Sequence, residues 1–437
     1  MSGDRTTLLW APAAWLAGRW QPSVLLAADA TGHWQSIEAG HAAPEAATRL
    51  PGPVLPGLVN AHSHAFQRAF AGRAERRQSA HDDFWSWRDR MYGVALTITP
   101  DALRELATGL YRELLAGGYT QVCEFHYLHH AEDGSRYADP LVMSRALADA
   151  AADSGIGLTL LPVLYERAGF TQAALRPDQR RFATSAADVL AMRDAIRGWR
   201  APRVEAGVAI HSLRAASPQS MRTLVDALAG DAGPIHIHVA EQTGEVDDCL
   251  AATGARPIEW LAREFALDAR WQLVHATHAT AEEIAAVAAA GAGVVICPST
   301  EANLGDGVPD LPRWLERGVP LAIGSDSQVS RSAAEELRWL EYAQRLALRR
   351  RNVGADPARF EGSTGARLFD ACRAGGAAAA GFTRWGFVAG ARADLLVLDT
   401  QAASLDGVDL TEVLDAWIFA TDALCIAQTW VAGRRAR

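Results

Sequence analysis

Between residues 51 and 330 of this 437-residue chain, a short β-rich run followed by an Ala-, Leu- and Arg-rich helical stretch occurs eight times, which predicts a closed (β/α)8 TIM-like barrel. Two further observations favour closure. A doubly wound open sheet needs fewer units and a glycine-rich phosphate turn after its first strand, and here that position reads Asn60-Ala61-His62-Ser63-His64. The chain ends also differ from the middle: SVLLAAD, HWQSIEA, ADLLVLD and AQTWVAG are short strand-like runs between Gly, Asp and Thr turns. They predict a small composite β-sandwich from residues 1–50 and 383–437, with the barrel occupying 51–382.

The eight predicted strands begin near Val54, Tyr119, Gly157, Val204, Pro234, Arg270, Gly293 and Pro320. Helical periodicity marks 100–116, 139–153, 186–199, 218–229, 281–290 and 332–349. Pro100, Pro140 and Pro218 are expected in first helical turns, where a missing N–H costs nothing. The apolar stretch from Leu8 to Gly18 is interrupted by Pro12 and by Trp10 and Trp15, so it is read as folded chain rather than a leader. No run of 18 apolar residues predicts a membrane span.

All 42 basic residues are Arg and none is Lys. That absence excludes a Schiff-base nucleophile, a pyridoxal-phosphate anchor and a phosphate-loop lysine, each of which needs a primary amine. A net charge of −9, with Arg349 to Arg351 the longest basic run, argues against nucleic acid as a partner and for a small molecule. Cys123, Cys249, Cys297, Cys372 and Cys425 are odd in number, widely spaced and free of any CxxC pair. They are read as free thiols in a reducing, cytoplasmic compartment.

None of the thirteen histidines lies beyond position 278, and several fall at the C-terminal ends of predicted strands, the face where barrel active sites are built. His62 and His64 end the first strand two residues apart, so the period of a strand points both imidazoles to one side. The pair suits a divalent metal, although two hydrogen-bonded polar histidines would read the same way. In the fifth strand His238 is nearer the C-terminal end than His236, which is expected to be structural; Glu241 follows three residues later. His275 ends the sixth strand, while His278 starts the next loop. Asp326, in a Gly-Ser-Asp-Ser run, ends the eighth strand and is read as a ligand across the barrel mouth rather than a helix cap.

This constellation of HxH, HxxE, His and Asp on successive strands resembles the amidohydrolase superfamily in its branch of mononuclear deaminases. PGLVNAHSHAFQR (56–68), FWSWRDRMY (84–92), EFHYLHH (124–130), HSLRA (211–215), HVAEQ (238–242), LVHATH (273–278) and STEANLGDG (299–307) are similar, within that branch, to the formimidoylglutamate deiminase family. The resemblance implies one divalent ion per subunit, Zn²⁺ before Fe²⁺ or Mn²⁺, held by His62, His64, His238 and Asp326. The absent lysine agrees, since two-metal branches commonly use a carbamylated lysine as bridge. It implies hydrolysis of a formimidoyl group with Asp326 taking a proton from water, His275 steadying that water and Glu241 acting as general acid.

The implied substrate, N-formimidoyl-L-glutamate of histidine degradation, is a dicarboxylate. Arg88, in the aromatic loop after the first strand, and Arg214 are the expected carboxylate partners, with Arg90 an alternative to Arg88. The resemblance adds Gln67, Tyr127 and His211 to the pocket. Arg73, Arg76 and Arg77 are expected to be solvated. One departure stands out: Gln328 occupies a position where this family is expected to carry His. Competing expectations are a deaminase of a nucleobase or other cyclic amidine, whose neutral ring offers nothing to two buried arginines, and a non-catalytic barrel scaffold. Barrels of this kind are often dimeric, so a homodimer is expected, with the 81–92 loop closing over its own or its neighbour's site.

Overall fold

The computed structural model describes residues 6–77, 82–421 and 425–437. Eight parallel strands surround the core: β1 (Leu58–Ser63), β2 (Tyr119–His126), β3 (Gly157–Leu164), β4 (Val208–Ser212), β5 (Ile235–Val239), β6 (Trp271–His275), β7 (Gly293–Ile296) and β8 (Leu321–Ile323). Each pairs with the next, and the ring closes where Ser63 of β1 bridges Asp326 just beyond β8. His64 N donates to Asp326 O at 3.2 Å and Asp326 N to His62 O at 3.0 Å. The seam of the barrel therefore runs between the two segments that carry the HxH pair and the aspartate.

Close approach at this seam requires Gly324, where a Cβ would lie 2.7 Å from His62 Cβ and 3.0 Å from Cys297 Sγ. A polar clasp then fixes the register. Asn60 Nδ2 donates to Ser325 Oγ (2.6 Å), Ser325 N to Asn60 Oδ1 (2.9 Å), and Ser325 Oγ to Gln328 Oε1 (2.8 Å). Gln328 Nε2 completes it on Ser63 Oγ (3.0 Å) and Asp326 O (2.7 Å). Every member is buried, so each group finds inside the protein the partner it lost from water. Gln328 is thus a structural tie across the seam, which accounts for an amide being accepted at that position.

Strands from both chain ends form one eight-stranded sheet in the order Arg434–Arg435, Ile426–Val431, Leu395–Leu398, Val54–Pro56, Thr7–Leu16, Arg19–Ala28 and Trp34–Glu38, with Thr48–Arg49 beside Thr7–Leu16. Ala17 and Gly18, both at positive φ, make the two-residue turn of the first hairpin, as a type I′ geometry demands. Alternation decides how this sheet sits on the barrel. Leu395 and Val397 pack into the sheet's own core with Leu9, Leu26 and Trp34, whereas Leu396 and Leu398 join the barrel core.

Three expectations need correction. The run from Val54 is two strands, because Val54–Pro56 pairs with Leu395–Leu398 in the end sheet and the chain enters the barrel only after Gly57, whose Cβ would meet Thr120 Oγ1 at 2.2 Å. Pro140 precedes its helix, which runs Val142–Ser154, because the Asp139 carboxylate takes up Leu141 N in a turn. The aromatic segment carrying Arg88 is the helix Phe84–Ala95, nucleated by a capping box in which Asp83 accepts from Ser86 N and Ser86 Oγ accepts from Asp83 N. Residue 81, where the aromatic loop was expected to begin, lies outside the described residues. Pro100 and Pro218 do stand at the first turns of Pro100–Ala116 and Pro218–Ala227.

Candidate active site

The barrel mouth concentrates four imidazoles and several carboxylates with almost no solvent exposure. His62 and His64 present their Nε2 atoms 3.1 Å apart, and His238 Nε2 lies 2.9 Å from that of His62. Asp326 Oδ1 is 3.5 Å from His62 Nε2 and 3.4 Å from His64 Nε2. Ligands 2.0–2.1 Å from one ion at tetrahedral angles would be about 3.3 Å apart, so His62, His64 and Asp326 fit one divalent metal, with His238 at such a separation from His62 alone.

The opposite ring nitrogens fix which lone pairs point inward. His64 Nδ1 bonds Phe125 O at 3.0 Å and His238 Nδ1 bonds His211 O at 2.9 Å. Carbonyls only accept, so both Nδ1 atoms carry the proton and both Nε2 atoms are left as donors to a metal. Burial pushes the His62, His64 and His238 pKa values down, which keeps the rings neutral, as metal ligation requires. The Phe125 ring floors the cluster, with centroids 5.1, 5.4 and 4.3 Å from those of His62, His64 and His238. His236 turns away and bonds Ala379 O through Nε2 at 2.8 Å, the structural role expected of it.

His275 stands beside the cluster. Its Nδ1 is 3.3 Å from Glu301 Oε1, and its Nε2 is 3.7 Å from Asp326 Oδ2 and 3.8 Å from Glu241 Oε1. Burial opposes charge on this ring, but Glu241, Glu301 and Asp326 together raise its pKa to about 10. Burial pushes Glu241 up to about 7, so a small local change moves its proton at neutral pH. The turn holding Glu241 is set by Glu245, which accepts from Ala240 N at 3.3 Å and Glu241 N at 3.1 Å. Ala240, His275, Ala276 and Asp326 all adopt positive φ, so three strand ends bend sharply to aim these side chains.

One pocket is lined by His64, Gln67, Arg88, Tyr127, His211, Arg214, His238, Glu241, His275 and Asp326, with Phe84, Trp87, Met91, Tyr92 and Leu304 as apolar walls. His62 lies beneath it, fully buried. Gln67 Nε2 donates to Tyr127 OH at 3.2 Å, while Gln67 Oε1 has no protein partner among the described residues. Arg214 is 8% exposed, and its guanidinium lies 5.4 Å from the Trp85 ring centroid; that of Arg88 lies 4.8 Å from the same centroid. Burial penalises the Arg214 charge, and Glu245 and Glu241 more than offset that penalty, raising its pKa. Arg214 Nε has no partner within the described protein. Two cations thus flank one aromatic ring at the mouth of the pocket. Arg90 instead bonds Ser86 O and Arg76 O, and Arg73, Arg76 and Arg77 are exposed.

Sequence reasoning missed Glu301, Glu245, Phe125 and Trp85. Glu301 and Trp85 lie inside STEANLGDG and FWSWRDRMY, but type and spacing gave no sign of their contacts. Phe125 was legible as an inward residue of β2, next to His126, which faces the opposite side.

The family model described as "Amidohydrolase family" matches residues 54–436. This chain belongs to the amidohydrolase family. The amidohydrolase is 47% identical over 392 residues to a formimidoylglutamate deiminase of Pseudomonas aeruginosa, a match covering 89% of this chain and 86% of that protein. It is 30% identical over 353 residues to a 5-methylthioadenosine/S-adenosylhomocysteine deaminase of Natronomonas pharaonis, across 80% of this chain and 74% of that one. Among solved structures, an amidohydrolase from Brucella melitensis superposes with a TM-score of 0.92 at 43% identity, over 98% of this chain and 94% of that one. No helix among the described residues is long and apolar enough to cross a membrane.

Proposed function

We propose that this amidohydrolase hydrolyses N-formimidoyl-L-glutamate to N-formyl-L-glutamate and ammonia. The observation that carries the reading is the placement of Arg88 and Arg214 in one pocket with the His/Asp cluster and Glu241. A dicarboxylate gives the buried Arg214 guanidinium a bidentate partner and offers a second carboxylate to Arg88, which bonds Asp89 through Nε and Nη2 at 3.3 and 3.1 Å, whereas a neutral ring leaves the Arg214 cation unpaired. The 47% identity to the Pseudomonas aeruginosa enzyme supports the same substrate.

His62, His64, His238 and Asp326 would hold one Zn²⁺ per subunit. The ion would polarise water and lower its pKa toward neutrality. The other tasks fall to side chains. Asp326 takes the proton released as water adds to the formimidoyl carbon. His275, oriented by Glu301, hydrogen-bonds the incoming oxygen and steadies charge on the addition product. Glu241 delivers a proton to the departing nitrogen, so that ammonia rather than amide ion leaves. Gln67, Tyr127 and His211, with Arg88 and Arg214, orient the chain of the substrate. His211 is held neutral by burial and by the adjoining Arg214 charge, which suits it to a neutral hydrogen bond.

A place in histidine degradation follows from this substrate. A cytoplasmic homodimer is the accompanying reading, supported in its compartment by the buried free thiols of Cys123, Cys249, Cys297 and Cys372. The test combines metal analysis with ammonia release from N-formimidoyl-L-glutamate and from methylthioadenosine. Turnover of the first with one zinc per subunit is expected; deamination of the second alone would overturn the reading.

A further inference from the structure

Behind Glu241 lies a carboxylate that the chemistry above does not use. Asp306 is 5% exposed, held where the helix Pro298–Leu304 ends at Gly305 and its own N–H returns to Glu301 O at 3.0 Å. Its Oδ1 accepts from Gln242 Nε2, and its Oδ2 is buried without a hydrogen-bond partner among the described residues. No arginine described here pairs with it. One ligand atom each from Glu241, His275 and Asp306 lies within 4.8 Å of the others, and all three residues are buried.

We propose that Glu241, His275 and Asp306 form a second divalent-cation site, separate from the His62, His64, His238 and Asp326 set, and that filling it inhibits the enzyme. Two carboxylate oxygens and one imidazole nitrogen are a donor set for zinc or a similar borderline ion, with water free to complete the shell from the pocket side. Charge favours it: Glu241, Glu301, Asp306 and Asp326 surround His275, and a divalent ion there replaces the proton that they hold on that ring. An unpartnered buried carboxylate oxygen in such a cluster has the environment of a ligand without its metal. Inhibition follows from the identity of the ligands, and that part rests on the proposed role of Glu241. A cation on its carboxylate removes the group that protonates the leaving nitrogen, and pulls His275 away from the incoming oxygen. The site is the weaker of the two, because Arg214 adjoins it and it offers three protein ligands, one fewer than the first.

The experiment starts from enzyme carrying one zinc per subunit. Equilibrium dialysis against rising zinc should show a second equivalent bound, with activity falling at least tenfold along the same curve. Asp306→Asn should keep activity within a few-fold at one equivalent, while second-site binding and the inhibition midpoint both weaken at least tenfold. Cobalt titration of the unaltered protein should give a second visible-absorption component after the first saturates. A stoichiometry fixed at one through millimolar zinc, a single cobalt component, or an Asp306→Asn protein that binds the second ion as tightly as the parent overturns the proposal. Binding is read without substrate, so loss of the second ion and failure of the substrate assignment are separate outcomes.

Discussion

Replacing Arg214 by Met tests the substrate reading at its most specific point. The guanidinium is almost completely buried, and its Nε finds no acceptor in the described protein. If a substrate carboxylate supplies the acceptors, two charge-assisted hydrogen bonds at about 1.5–3 kcal/mol each are lost. The total of about 3–6 kcal/mol corresponds to a fall of roughly 10²–10⁴ in kcat/KM. Part of that loss has another origin, because removing a cation beside Glu241 and Glu245 raises the pKa of Glu241, making it a weaker acid, and slows any substrate alike. A cycle separates the two contributions. Ammonia release is measured for the parent and for Arg214→Met with N-formimidoyl-glutamate, and with the formimidoyl derivatives of 4-aminobutyrate and 2-aminobutyrate, which lack the α- and the γ-carboxylate respectively. With one truncated substrate the penalty of the substitution should shrink by at least tenfold, since the partner is already gone. With the other it should persist, and Arg88→Met should show the complementary pattern. An equal penalty on all three substrates would refute carboxylate recognition by Arg214.

Glu241→Gln should leave metal content near that of the parent and reduce turnover by about 10²–10⁴, read by metal analysis beside steady-state kinetics. Gly324→Ala places a methyl 2.7 Å from His62 Cβ at the barrel seam, so metal affinity and thermal stability should fall together, with purified protein showing less than one equivalent of zinc. Asp231 pairs with Arg197 and Arg193 and accepts from Gly233 N, and the Arg197 hydrogen bond leads in lowering its pKa to about 2. A depressed carboxylate stabilises the fold above its ordinary pKa and ceases to as pH falls through the folded value. Asp231→Asn should therefore cost about 1–2 kcal/mol at pH 7, allowing for screening of the half-exposed Arg197, with the difference from the parent shrinking between about pH 4 and 2 in denaturant titrations.

Much of this site was legible because barrel chemistry obeys a positional rule. His62, His64, His238, His275 and Asp326 stand at strand ends, and a strand end in a (β/α)8 barrel has only one place to point. The arginines were harder. Arg88 and Arg90 are two apart on a helix and so face different ways, but without knowing that 84–95 is helical the preference for Arg88 had to keep Arg90 as its alternative. Glu301, Glu245 and Asp306 were invisible for a different reason: each acts through a turn or short helix whose geometry depends on packing, and a Glu or Asp in such a segment ordinarily caps or solvates it. The split at Gly57 was hidden because two consecutive strands of different sheets share one apolar run, and only the partner at Leu395–Leu398 reveals the first of them.

The seam between β8 and β1 also dictates the order in which this enzyme can be assembled. Two of the imidazoles are made near the start of the chain and the aspartate that meets them lies more than two hundred residues later, so a nascent chain holds only part of the proposed ligand set until β8 has emerged and docked. Closing the ring and completing the proposed ligand set are then one event. On the proposed ligand set, an ion that arrives before β8 docks meets three imidazoles without the carboxylate, and one that arrives later ties the last strand to the first. Metal supply during synthesis should accordingly govern the yield of closed barrels as well as their activity.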